Sequence, residues 1–288
     1  MHALTVDLED YRAIVARDYF GQETAPDPIV CANTARLLQL FADHDVRATF
    51  FTLGDVAETY PQLISDIAAA GHELGVHGHH HLQVFKLTPE SFRREIEVPK
   101  KRIEDLTGRP VLGHRAPAFS IVPRTAWAFD VLADVGFRYD SSVMPLTAPR
   151  YGWPGFPQDI HERPISADRS LVEAPMTVIR LPLKSLPVGG GGYLRHFPLA
   201  FTRWALRRAA RARPVIVYVH PCEIQTSPDP IDMSVLPADT RRNFQRFHRL
   251  QLRNRHTVES KLDRLLDLFA FVPLVEVIDA RLGEAWRA

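Results

Sequence analysis

Residues 71–82 read Gly71-His72-Glu73-Leu74-Gly75-Val76-His77-Gly78-His79-His80-His81-Leu82 and hold five of the thirteen histidines of a 288-residue chain. His77 and His81 stand four apart with Gly78 between them, so a tight turn or one helical turn can aim both imidazoles at one point, which is metal-ligand spacing. Leu74 and Val76 predict a short strand ending at His77. That places the pair at a strand's C-terminal end, where α/β folds build sites. A solvated loop or an incidental histidine tract would also explain this segment taken alone, and a metal needs a third protein ligand. The opening stretch MHALTVDLED offers the carboxylates.

Working outward, residues 3–7 form an apolar strand ending in acids. A helix is predicted from about Asn33, taken as its N-cap, with Leu37, Leu38 and Phe41 on one face, followed by a strand from Arg47 to Leu53. Pro61 opens a helix that Gly71 closes, and Thr88-Pro89-Glu90 starts another that runs to Gly108. Val111 to His114 is a strand, Pro123 to Val135 a helix stopped by Gly136, and Phe137 to Tyr139 a further strand. Met144 to Asp168 is rich in Pro, Gly and aromatic residues and shows no period, which fits either a substrate-shaping insertion or a packed irregular cover. A strand resumes at Leu171 to Ala174. Val215 to Val219 is a β-branched run expected to be buried, ending at His220. Strands alternating with helices at this pace predict βα units around a mostly parallel sheet, and the falling of motifs at successive strand ends favours a barrel.

The run Gly189 to Gly192 lacks the spacing of a phosphate-cradling loop, and a flexible or closely packed turn is the expectation. Pro198 to Arg213 reads as a helix with five arginines and no acid, and a second basic stretch spans Arg241 to Arg255. A solvated face explains both, and contact with a membrane surface or an anionic, lipid-linked substrate is the alternative. Thr257 to Phe269 predicts an amphipathic helix that closes the fold. Hydrophobic content of 45% suits one large domain, and a net charge of +1 argues against a dedicated nucleic-acid binder. Cys31 and Cys222 are far apart and form no metal or disulfide framework. With neither a leader-like start nor a long apolar run, the expected location is cytoplasmic, with peripheral contact at the inner membrane face as an extension. The oligomeric state is not legible.

Five short motifs lie at or near predicted strand ends: Asp7-Leu8-Glu9-Asp10, His77 with His81, Arg115-Ala116-Pro117, Asp140-Ser141-Ser142 and His220-Pro221. In this order, as TVDLED, GHELGVHGHHH, RAPAF and VIVYVH, the chain resembles the polysaccharide deacetylases of carbohydrate esterase family four, the NodB homology fold, over residues 1 to about 223. LEDY, GGGGY and HPCEI make it most similar to the subgroup associated with bacterial exopolysaccharide clusters. The resemblance implies an α/β fold, an irregular (β/α) barrel. It implies a single catalytic domain over residues 1–288, with 225–288 a helical extension packed on it. The implied activity is metal-dependent removal of an N-acyl group, usually acetyl, from an amino sugar of an exopolysaccharide or surface glycan. The implied cofactor is one divalent ion, zinc before cobalt or nickel.

On that basis Asp7 is the expected general base, Arg115 the residue that holds it ionised, and His220 the general acid. His77 and His81 are expected metal ligands, with Asp10 preferred over Glu9 as the third. The family's common first motif has two adjacent aspartates, whereas Leu8 intervenes here. The Asp-Trp pair that orients the acid histidine in many members is absent, leaving Asp140 or Glu223 for that role, and Cys222 stands where the subgroup usually carries Trp. The alternatives are a deformylase of a lipid-linked amino sugar and a catalytically inactive barrel that binds glycan.

Overall fold

The structure is a computed structural model that describes residues 1–148, 151–182, 184–225 and 231–287. Its strands are β1 (His2–Leu8), β2 (Thr49–Thr52), β3 (Glu73–Val76), β4 (Gly113–His114), β5 (Tyr139–Asp140), β6 (His161–Ser166), β7 (Arg169–Glu173), β8 (Val178–Arg180), β9 (Ser185–Pro187), β10 (Ile216–Val219) and β11 (Phe271–Val272). The helices are α1 (Tyr11–Phe20), α2 (Ile29–Asp43), α3 (Gly54–Thr59), α4 (Pro61–Ala69), α5 (Pro89–Thr107), α6 (Ala128–Val135), α7 (Gly192–His196), α8 (Leu199–Ala210), α9 (Ala238–Leu252), α10 (Val258–Leu268) and α11 (Leu274–Leu282). None among the described residues is long and apolar enough to cross a membrane.

The sheet runs β10-β1-β2-β3-β4-β5-β7-β6, and β11 also pairs with β1. Every pairing in it is parallel except that of β6 with β7. β1, β2 and β10 are buried on both faces, which is why they read as near-continuous apolar runs rather than alternating ones. Among the described residues, the two ends of the sheet do not pair strand to strand. The β8–β9 hairpin and its flanks bridge the gap instead: Met176 N donates to Val143 O, Thr177 Oγ1 exchanges hydrogen bonds with Ile216, and Tyr218 N donates to Gly189 O. The result is the irregular α/β barrel expected from the sequence.

Gly190 has φ +130°, and a Cβ there would lie 1.9 Å from Tyr218 O. The four-glycine run is therefore the closely packed turn of the two sequence alternatives. It lies flat on β10 and launches α7 toward the strand ends.

Some elements differ from expectation for physical reasons. α1 is capped by Asp10, an acid that sequence reasoning had assigned to chemistry instead. α2 begins four residues before Asn33, which is a buried interior residue rather than a cap. Strand β6 lies within the stretch that shows no period in sequence; it is the edge strand of the sheet, where the missing N–H of Pro164 is tolerated, and its register shifts there. The helix expected from Pro123 starts at Ala128, after a separate 3-10 turn. The C-terminal part is not purely helical, since β11 returns to pair with β1 at His2 and Ala3.

Candidate active site

The strand ends of β1, β3, β4 and β10 converge on a cleft of about 640 Å³ lined by Asp7, Glu9, His77, His81 and His220, with Tyr193 on its wall. Alternation along β1 decides which acids enter it. Asp7 and Glu9 are two apart and share a side, while Leu8 points into the core and is fully buried. Asp10, on Leu8's side, turns to cap α1: it accepts from Arg12 N at 3.4 Å, Ala13 N at 2.9 Å and Asp27 N at 3.0 Å. The preference for Asp10 as third ligand is thereby corrected to Glu9, since the Asp10 carboxylate is committed to backbone amides.

Glu9, His77 and His81 bring one ligand atom each to within 4.8 Å of one another. Glu9 Oε2 lies 3.0 Å from His81 Nε2 and 3.6 Å from His77 Nε2. It is buried and makes no hydrogen bond of acceptable geometry. An orphaned carboxylate oxygen facing two ring nitrogens is a donor set that suits a divalent ion. The tautomer agrees, because His77 Nδ1 lies 2.8 Å from Arg115 O and must donate to it, leaving the Nε2 lone pair for a ligand bond. Burial would raise the Glu9 carboxyl, but the imidazoles of His81, His220 and His77 outweigh it and hold the group well below the usual range.

The turn carrying the two histidines is held from outside. Glu95 on α5 accepts from His79 N at 3.3 Å, from His80 N at 3.0 Å and pairs with His80 Nδ1 at 2.9 Å. His81 itself sits at φ +58°, an unusual backbone for a non-glycine residue and of the kind that clusters at working sites. Nothing in the sequence marked Glu95, which reads as an ordinary helix residue.

Asp7 and Arg115 are both buried and joined at 2.7 Å through Oδ1 and Nη1. The same Nη1 donates to Thr5 Oγ1 at 2.7 Å, Nε and Nη2 reach Ser141 at 3.1 Å, and the guanidinium lies 4.3 Å from the Phe51 ring centroid. A buried charge pair this well satisfied holds its geometry, and it leaves Asp7 Oδ2 facing the cleft. That oxygen lies 3.8 Å from His220 Nε2.

His220 Nδ1 pairs with Glu223 Oε2 at 3.1 Å, so Nε2 points into the cleft, also 3.8 Å from Glu9 Oε1. Burial disfavours the charged ring, but the carboxylates of Glu9, Glu223 and Asp7 raise its pKa to about 9. Glu223 is itself backed by Arg195 of α7 at 3.0 Å, and Arg195 is tied to Gln251 of α9 through both its backbone and side-chain oxygens. Sequence reasoning missed Arg195, which sits three residues past the glycine run with no motif of its own.

Asp140 is the second correction. It does not orient His220. Its carboxylate takes His114 Nδ1 at 2.7 Å and both Oγ (2.7 Å) and N (3.0 Å) of Ser142, while Ser142 Oγ accepts from Ala116 N at 2.7 Å. Asp140 thus pins the Arg115–Ala116 segment from behind. Cys222 lines the cleft beside His220, and burial pushes its thiol up to about 12, which keeps it protonated and unreactive.

Residues 26–139 match the family described as polysaccharide deacetylase, and residues 141–279 match one described as a domain of unknown function (DUF3473). The chain is similar to a peptidoglycan deacetylase of Helicobacter pylori, 33% identical over 131 residues that cover 43% of this chain and 44% of that protein. It spans less than half the length of the relatives it matches. The fold is shared with a probable polysaccharide deacetylase from Pseudomonas aeruginosa PAO1, at a TM-score of 0.63 and 15% identity over 98% of this chain and 91% of that one. An allantoinase shares it equally, at 0.62 and 15% over 98% and 90%, so the fold alone names no substrate. Through residues 26–139, and with Glu9, His77 and His81 gathered at the strand ends, the chain is similar to the family described as polysaccharide deacetylase.

Proposed function

We propose that the protein hydrolyses the N-acyl amide, in the first instance N-acetyl, of an amino-sugar unit in a bacterial exopolysaccharide or surface glycan. The observation that carries this is the convergence, in one cleft, of the Glu9–His77–His81 donor set with two opposed proton-handling pairs, Asp7 with Arg115 and His220 with Glu223. Glu9, His77 and His81 would hold one divalent ion, for which two imidazoles and a carboxylate suit zinc, with cobalt or nickel as alternatives. When bound there it supplies Lewis-acid polarisation of the acyl oxygen and acidifies water.

The chain's own residues carry the proton traffic. Asp7, held in place by Arg115, accepts a proton from water at Oδ2 as the water oxygen adds to the acyl carbon. His220, protonated and steered by Glu223, gives its Nε2 proton to the sugar nitrogen as the C–N bond breaks, because an amine leaves poorly as an anion. Free amine and carboxylic acid are the products. The 3.8 Å between Asp7 Oδ2 and His220 Nε2 leaves the two groups near enough to reach two substituents of one tetrahedral carbon.

The test is incubation of zinc-, cobalt- or nickel-loaded protein with chitooligosaccharides and peptidoglycan fragments, reading acetate, formate and free amine together. Acetate and amine in equal amounts, lost in Asp7→Asn and His77→Ala, would support the proposal. Formate in place of acetate would move the acyl assignment, and no release by folded, metal-loaded protein on any N-acyl sugar would refute it.

A further inference from the structure

The arginine-rich helix α8 is not an isolated surface feature. Tyr193, on the wall of the cleft, hydrogen-bonds Tyr151 through their hydroxyls at 2.6 Å and starts a run of ring contacts. Its ring centroid lies 5.8 Å from that of Phe197, Phe197 lies 4.9 Å from Phe201, and Phe201 lies 5.6 Å from Trp204. The first three rings are half-buried, whereas Trp204 is 47% exposed. Trp204 sits in a shallow groove of about 280 Å³ lined otherwise by Ala200 and the guanidinium groups of Arg203, Arg207, Arg208 and Arg211. All four arginines are exposed, and no acidic residue occurs between Gly189 and Arg213 to pair with them locally. Arg208 lies 5.9 Å from the Trp204 ring centroid.

We propose that this track is an extended subsite for an anionic glycan chain, running from the cleft along α8 to Trp204. The proposal rests on the assignment of the cleft to a glycan. Aromatic faces stack on the apolar faces of sugar rings, and guanidinium groups take carboxylate or phosphate substituents by bidentate hydrogen bonds. The two requirements alternate along α8 because residues three and four apart share a face: Phe201 and Trp204 form one row, which the ring of Phe197 extends from the α7–α8 turn, and Arg203 and Arg207 lie on the adjacent one, followed by Arg211 at its end. Continuity with the cleft favours a polymer over a membrane surface. On α8 only one large apolar side chain is exposed, too little to insert into lipid, while the ring contacts lead to the catalytic groups.

The full-length protein, as wild type, Trp204→Ala and the double variant Arg207→Glu/Arg208→Glu, is titrated calorimetrically with polygalacturonate oligomers, with chitohexaose, and with vesicles containing an anionic phospholipid. Melting curves confirm that the variants fold. Wild type is expected to bind polygalacturonate more tightly than chitohexaose. Trp204→Ala should weaken polygalacturonate binding about tenfold, the loss of one stacking contact, and the double variant more than that. Unchanged affinity in both variants, or wild-type binding to vesicles but not to polygalacturonate, overturns the proposal. The amide hydrolysis is read separately on chitobiose. Release there with no effect of the α8 variants on binding sinks this inference alone, and α8-dependent binding without any release sinks the assigned reaction alone.

Discussion

Glu9→Gln and Asp10→Ala, made side by side, separate the metal ligand from the helix cap. Asp10 accepts three backbone N–H groups, two from the first turn of α1 and one from Asp27. Losing an N-cap of this kind costs about 1–2 kcal/mol, and the bond to Asp27 N adds about 1 more, so Asp10→Ala should cost about 2–3 kcal/mol. For a chain of this size that is a fall in Tm of about 3–5 °C. Zinc should still bind. At a free zinc concentration of about 100 times Kd, binding stabilises the folded state by about 2.7 kcal/mol, in wild type and in Asp10→Ala alike. Glu9→Gln removes the anionic ligand while leaving the cap intact, so the metal-free protein should melt close to wild type. A hundredfold loss of affinity would leave a zinc-induced gain of RT ln 2, about 0.4 kcal/mol, at the same concentration. The assay is differential scanning calorimetry with and without zinc, paired with metal analysis after dialysis. A zinc-induced shift that survives Glu9→Gln and vanishes in Asp10→Ala would refute the assignment.

Three further perturbations test the supporting structure. Arg115→Met leaves the buried Asp7 carboxylate unpaired and should cost about 3–5 kcal/mol in urea unfolding, against which an effect below about 1 kcal/mol would argue that Asp7 has another partner. Arg195→Met should keep metal content and lower kcat by about 10–100-fold with little change in KM, with part of the rate returning in Arg195→Lys; a pure KM effect would mean that Arg195 touches substrate rather than positioning His220 through Glu223. His72 lies in the core with its pKa lowered to about 4 by burial and by the charge of Arg47, and its Nδ1 accepts from Ala48 N. The unfolded chain protonates this ring near pH 6.5, so its contribution is fully present above that pH and is lost as pH falls from 6.5 toward 4. About 1.4 kcal/mol should be gone at pH 5.5, and a His72→Gln protein should show a correspondingly flatter pH dependence between pH 7.5 and 5.5.

Which parts of the site were legible follows from the range of the interactions involved. The HxxxH pair, the strand ending at His220 and the Arg115 motif depend on neighbours in sequence, and each was visible there. The choice between Glu9 and Asp10 was also within reach, because strand alternation puts Glu9 with Asp7. Asp140 could not be placed from sequence. Its partner His114 is 26 residues away, and only the adjacency of β4 and β5 brings them together. Strand β6 was equally out of reach, since whether a proline such as Pro164 can sit in a strand depends on whether that strand has a neighbour on its N–H side.

Local physics in the sequence by itself determined the alternating βα plan, the boundaries of α5 and α10, and the identity of the histidines, the arginine and the acids available for chemistry. Tertiary structure alone decided how those groups are used. It tied Asp140 to His114 on the neighbouring strand and brought Arg195 to Glu223. Propensity, capping and periodicity act over a few residues and leave a trace in the sequence. A charge's partner is set by which strand ends meet, and that is a property of the closed sheet.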